Sequence, residues 1–153
     1  MTETDRLKIR VAIEDLNSAF TYYLDHHQIE PLVELFTATA RYSHGERHAE
    51  DRDTLRALFL ARSASGVRTT RHLYSGLRIA IQDERTAFGQ SVCMAFAANQ
   101  APPIGFCAPH LVADFIDEYV LDVDERWRIK KRDIRRIFAA GGERSSNLPA
   151  KGR

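Results

Sequence analysis

The chain has 153 residues, enough for one domain that buries roughly two-thirds of its extended-chain surface without staples. Its 22 Lys and Arg against 21 Asp and Glu leave a formal charge of +1, which removes the global field expected of a nucleic-acid or anionic-membrane binder. No long apolar run and no basic-then-apolar leader is present, so the expectation is a cytoplasmic protein, and Cys93 and Cys107 read as free buried thiols rather than a zinc or disulfide framework.

The spacing predicts a first long helix over 5–25, DRLKIRVAIEDLNSAFTYYLD, in which Ile9, Ile13, Leu16, Phe20 and Tyr23 line one face. A second stripe of Val11, Ser18, Tyr22 and Asp25 lies beside it and turns polar where the helix ends. This helix reads as the lid of a pocket with a terminal carboxylate. After the break at His26, His27 and Gln28, helical spacing resumes over 29–36, with Pro31 tolerated in the first turn. Residues 38–44 read as a short strand, Gly45 as a turn, and 47–49 as a second short strand. Asp51 and Asp53 stand where an N-cap is needed, and a third helix runs to about Ser65, stopped by Gly66.

From Val67 onward the period changes to two. Residues 68–81, 86–98, 111–122 and 126–138 are four long strands, which gives an α+β fold: helices first, then a curled antiparallel sheet of about six strands. In the first of these long strands Leu77, Ile79 and Ile81 share a face, and His72 falls on the opposite one unless Gly76 hosts a bulge. The next puts Ala87, Gly89, Ser91, Cys93, Ala95 and Ala97 on one side, leaving room for a helix or a ligand. Its other side carries Phe88, Val92, Met94 and Phe96, an apolar strip for the core or for a subunit contact in a homodimer or homotrimer. The tail 141–153, GGERSSNLPAKGR, is too polar to offset the entropy of ordering it and is expected to be flexible beyond a single domain of 1–140.

His72, in TTRHLYSGLR, is the candidate base if it meets Asp25. A carboxylate bonded to one ring nitrogen sets the tautomer and stabilises the imidazolium, leaving the other nitrogen to take a proton. Asp117 shares parity with Leu111, Phe115 and Tyr119, so a pocket carboxylate and a position outside at a bulge are both open. Arg132 is a possible anion-binding residue, although the basic run around it favours a solvated face. Ile104 and Phe106, in the Pro- and Gly-containing loop 99–109, are expected to form a lid over an apolar ligand. No HxH or HExxH spacing organises the six histidines, so neither a metal nor a cofactor is expected.

Over 5–138 the chain resembles the SnoaL-like branch of the nuclear transport factor 2 superfamily. The matching stretches are DRLKIRVAIEDLNSAFTYYLD, LVELFTATARYSHG, TTRHLYSGLR and EYVLDVDERWRIKKRDI. The resemblance implies a cone of curved sheet closed by helices around a deep pocket. Within the superfamily the pattern is similar to that of scytalone dehydratase, bile acid 7α-dehydratase and hexachlorocyclohexane dehydrochlorinase. By that likeness Asp25 and His72 are the base pair for an elimination, Tyr42 a pocket phenol and His110 a second histidine, while Leu24 replaces a helix tyrosine, with Tyr22 and Tyr23 close by. Likeness to ketosteroid isomerase is weaker, with His44 near its base carboxylate and Asp117 near its oxyanion-hole acid. Two expectations follow: a cofactor-independent, dehydratase-like lyase acting on an aromatic, polyketide or steroid-like molecule, or a non-catalytic small-molecule-binding or oxygenase small-subunit-like protein of the same fold.

Overall fold

Helix α1 (Glu3–Asp25) starts slightly ahead of the periodic stretch because Thr2 and Asp5 cap it reciprocally. The Asp5 amide donates to the Thr2 hydroxyl at 3.2 Å, and the Thr2 amide donates to the Asp5 carboxylate at 2.8 Å. Ile9, Ile13, Leu16, Phe20 and Leu24 form its buried face, and Tyr23 is only partly covered at the edge. The second stripe does not stay together, since Val11 and Tyr22 are about half exposed while Asp25 is buried. These coordinates are a computed structural model that describes residues 1–139, so the expected flexible tail, 141–153, lies outside the described residues.

Helix α2 (Ile29–Val33) is shorter than its spacing suggested. The Leu35 carbonyl accepts from the Ile129 amide at 2.8 Å, which draws the chain into strand β1 (Phe36–His44). Phe36 then packs edge-on against Phe20, with ring centres 6.0 Å apart. After β2 (Arg47–Ala49), Asp51 caps helix α3 (Arg52–Ala64) by accepting from the Thr54 amide at 2.7 Å. Four long strands follow: β3 (Thr69–Ile81), β4 (Thr86–Ala98), β5 (Pro109–Leu121) and β6 (Trp127–Ala139). Among the described residues no helix is long and apolar enough to cross a membrane.

The strands form one open sheet in the order β2-β1-β6-β5-β4-β3. The expected all-antiparallel sheet is corrected to a mixed one, because β1 runs parallel to β6, with Tyr42 opposite Arg132. Strands joined by short turns must be antiparallel; β1 and β6 are joined only through the rest of the fold and are free of that constraint.

Gly76, at φ +65°, carries a bulge between Ser75 and Arg78 in β3. The extra residue switches parity, so Thr70 and His72 face inward before it and Leu77 and Ile79 after it. On β4, Ala87 to Ala95 alternate buried and exposed. Gly89 is needed there because a Cβ would stand 2.7 Å from the Tyr119 ring. Part of the small-residue face therefore receives a side chain, and its far part, from Cys93 to Ala97, lines a cavity. On the outer face Leu73, Met94, Val112 and Phe138 stand in register across four strands.

Strand β3 ends the sheet, and α1 lies along its free edge. Arg10 donates to the Ile79 carbonyl at 3.5 Å, Tyr74 donates to the Glu14 carboxylate at 2.7 Å, and the His72 amide donates to Asp25 at 2.8 Å. Backbone groups that would otherwise seek another strand end on helix side chains.

Candidate active site

Between α1, α3 and the concave face of the sheet lies a cavity of about 320 Å³, within the range of small-molecule sites. Phe20 and Leu24 of α1, Leu58 and Phe59 of α3, and Leu111, Phe115 and Ile134 of the sheet make its apolar wall. Its polar wall holds Tyr42, His44, Thr70, His72 and His110, with Arg47, Arg62, Arg68 and Arg136.

Asp25, at the last turn of α1, is buried against the start of β3 and accepts three hydrogen bonds. His72 Nδ1 lies 2.6 Å from Oδ1, the Thr70 hydroxyl donates to Oδ1 at 2.8 Å, and the His72 amide donates to Oδ2 at 2.8 Å. Burial pushes the Asp25 carboxyl up, but the bonds from the His72 ring and backbone outweigh it and hold the group below the usual carboxylate range. An ionised acceptor at Nδ1 keeps a proton on that nitrogen. It leaves Nε2, which bonds to no protein group among the described residues, as the lone pair offered to the cavity.

Tyr42 is buried between Phe36 and Phe59, and burial pushes its phenol up to about 12, so it stays a proton donor at neutral pH. His44 is driven the other way, down to about 4, first by burial and then by the charges of Arg136 and Arg47. Its Nε2 is buried without a partner among the described residues. His110 reaches the wall through a shift in the β4–β5 register between Ala95 and Phe96, which puts consecutive residues, His110 and Leu111, on the cavity side. Cys93 lines the cavity as a free thiol pushed up to about 12 by burial, and Cys107, also free, is only partly buried.

Several expected positions lie elsewhere. Tyr22 is exposed and stacks on His26 at 4.2 Å, and Tyr23 packs at the core margin; helix rotation carries both off the face on which Phe20 and Leu24 meet the cavity. Ile104 is partly buried and Phe106 is 87% exposed, and neither lines the cavity.

Arg132 is neither on a solvated face nor available to bind an anion, because Asp117 already occupies it inside the core. Nε and Nη2 donate to the two Asp117 oxygens at 2.8 Å each, and Nη2 also donates to Asn17 Oδ1. The guanidinium stands 4.3 Å from the Phe20 ring centre and 4.6 Å from that of Phe115. Tyr119 donates to Asp117 at 2.6 Å and accepts from Asn17 at 2.9 Å, which places Asp117 beneath the cavity as a structural carboxylate. Burial disfavours the Arg132 charge, but the Asp117 carboxylate outweighs it and raises the pKa above the ordinary value. Among the described residues no three His, Cys, Asp or Glu side chains come together as a ligand set.

Reading by sequence missed Thr70 and the four cavity arginines. Thr70 had a signal, since it shares strand parity with His72. Arg62 follows Leu55 and Phe59 on one helical stripe, so its inward direction was also written in the spacing.

The family model of the SnoaL-like domain matches residues 5–133. A scytalone dehydratase-like protein of Novosphingobium aromaticivorans is 27% identical, with a TM-score of 0.77 over 90% of this chain and 89% of its own. LinA is 22% identical, with a TM-score of 0.77 over 93% and 97%. A protein described as the β subunit of an aromatic-ring-hydroxylating dioxygenase of N. aromaticivorans is 18% identical, with a TM-score of 0.71 over 86% and 90%. No curated protein matches the chain. With most of its length matched by that model and its helices and six-stranded sheet shared with these structures, the chain belongs to the SnoaL-like domain family of the nuclear transport factor 2-like superfamily.

Proposed function

We propose that the cavity is the active site of a cofactor-independent lyase, a dehydratase-like enzyme whose general base is His72 held by Asp25. The observation that carries this reading is the 2.6 Å contact between His72 Nδ1 and Asp25 at the polar wall of the cavity, facing the apolar side chains of Phe20, Phe59 and Phe115. In the step, Nε2 takes a proton from carbon. The released electron pair forms a double bond as a hydroxyl leaves the neighbouring carbon, and that hydroxyl departs as water once a donor protonates it. Asp25 stabilises the resulting imidazolium. Tyr42 and His110, which line the same cavity, are the candidate donors to the leaving group. The scytalone dehydratase-like neighbour supports the class, and Phe20, Phe59 and Phe115 in the wall suit an aromatic, polyketide or steroid-like substrate.

A panel of hydroxylated aromatic, polyketide and steroid compounds, read by mass loss of water, tests this. Turnover by the wild type that disappears in His72→Ala is expected. Equal turnover by both proteins would remove the mechanism.

A second reading has a specific observation behind it. The outer-face row of Leu73, Met94, Val112 and Phe138 includes side chains 58%, 37% and 69% exposed at positions 73, 94 and 138. We propose that this row makes a homodimer or homotrimer contact. A binding or assembly protein without turnover, like an oxygenase small subunit, would use the same face. Ligand binding with no product anywhere in the panel selects it.

A further inference from the structure

The cavity has one apolar wall and one that carries several cations. Arg47, Arg62 and Arg68 line it, and among the described residues none of the three forms an ion pair with a carboxylate. Their direction follows from the fold. Arg62 lies on the inward stripe of Leu55 and Phe59, Arg68 shares parity with Thr70 and His72, and Arg47 shares it with the buried Ala49. Arg136, two residues beyond the buried Ile134, brings a fourth guanidinium to the same wall.

The Arg62 Nη1 atom is buried without a hydrogen-bond partner among the described residues, and Arg68 meets only the neutral side chain of Asn99, at 3.2 Å. Burial and then the charge of Arg68 disfavour the charge on Arg62, yet a guanidinium stays protonated in proteins. The charges of Arg136, Arg47 and Arg62 also act together on one imidazole, that of His44, so these cations converge. Arg47, Arg62 and Arg68 thus bring like charges to one partly buried wall, where Asp25, the carboxylate that acts on Arg62, is already bonded to His72, and such a wall is suited to receive an anion.

From these observations we infer that the ligand of this cavity is an organic acid: an apolar ring body set among Phe20, Phe59 and Phe115, with a carboxylate held by Arg47, Arg62 and Arg68 beside His72. The inference rests on the cavity being the functional site, as proposed above, and narrows its substrate to ring carboxylates. Planar guanidinium forks match the two oxygens of a carboxylate, which a neutral amide of the same shape does not reproduce.

Calorimetric titration of the full chain with matched pairs tests this: benzoate and benzamide, 2-naphthoate and 2-naphthamide, anthracene-2-carboxylate and its amide. Acids are expected to bind about ten-fold or more tightly than their amides, a gap that closes to about two-fold in Arg47→Gln/Arg62→Gln. Raising sodium chloride from about 50 to about 500 mM should weaken the acid and spare the amide, a wild-type readout that stands even if the double variant fails to fold. Equal binding within the pairs, binding of no acid, or an acid preference insensitive both to salt and to Arg68→Gln would overturn the inference. Because binding is read without turnover, acid preference in a protein that converts nothing keeps this inference and removes the lyase. Turnover confined to neutral compounds does the reverse.

Discussion

Replacing Asp25 by Asn keeps the shape of the side chain but not its bonding. The carboxylate accepts from three donors: the Thr70 hydroxyl, the His72 amide and His72 Nδ1. An amide has one oxygen, and the His72 backbone N–H can only donate, so that oxygen must turn toward it. The NH₂ group then faces Thr70 and Nδ1. Thr70 can reverse its role, but Nδ1 must give up its proton, which moves the imidazole to the Nε2–H tautomer. The nitrogen offered to the cavity becomes a donor and cannot act as a base. Loss of tautomer control costs about 10⁴-fold in turnover in the serine-protease triad, and a drop of that order is expected here.

The stability cost of Asp25→Asn is smaller. Exchanging three bonds to an anion, about 1.5–3 kcal/mol each, for neutral ones of about 0.5–1.5 kcal/mol loses about 3 kcal/mol in total. For a domain of this size that lowers Tm by about 6–12 °C. Because the folded Asp25 carboxyl lies below its ordinary value of 3.8, its contribution is fully present above that pH and is lost as pH falls through the folded value. The gap in Tm between wild type and variant should therefore narrow in acid. Long-range ¹⁵N–¹H correlation of the histidine ring reads the tautomer directly, without a substrate. Finding His72 in the Nδ1–H form in both proteins would refute the reasoning, whatever the activity did.

Three further outcomes are expected. Arg132→Met should destabilise the fold by about 3–5 kcal/mol in urea titration because it leaves Asp117 buried and uncompensated, whereas the double change with Asp117→Leu should recover much of the loss; a double variant no better than the single one would contradict this. His44, held neutral in the fold down to about pH 4, resists a proton that the unfolded chain takes up near pH 6.5. Stability should thus fall as pH drops between those values, by about 1–2 kcal/mol after allowing for partial exposure, and His44→Gln should flatten that part of the profile. Met94→Glu with Phe138→Glu should shift sedimentation from oligomer to monomer while leaving the circular dichroism spectrum unchanged, and a wild type that is already a monomer would remove the proposed contact.

Local order was legible in the residues. The apolar stripe of α1 and the change of period after Val67 follow from spacing, because helices and strands repeat over distances a single segment contains, whereas the parity switch at Gly76 was an open alternative marked only by a glycine within a strand. The parallel pairing of β1 with β6 was not legible, since register between segments so far apart in the chain leaves no trace in either. Arg132 and Asp117 show the limit more sharply. Each was open to a surface reading, and only the β5–β6 register, which sets them opposite each other, makes a buried pair tenable. His110 was placed by analogy with a known family; alternation alone would have turned either His110 or Leu111 away from the cavity.

The free edge of β3 gives Asp25 a second consequence. The His72 amide points away from β4, where a neighbouring strand would otherwise bind it, and the Asp25 carboxylate accepts it in that strand's place. In the proposed mechanism one side chain thus both orients the imidazole and covers a backbone donor at the border of the sheet. An apolar residue at this position would leave an unpaired amide, at about 1–3 kcal/mol, on an open margin. Under the proposed mechanism the chemistry and the closure of the sheet edge depend on the same carboxylate, so a protein of this fold without the reaction would still need an acceptor at the end of α1.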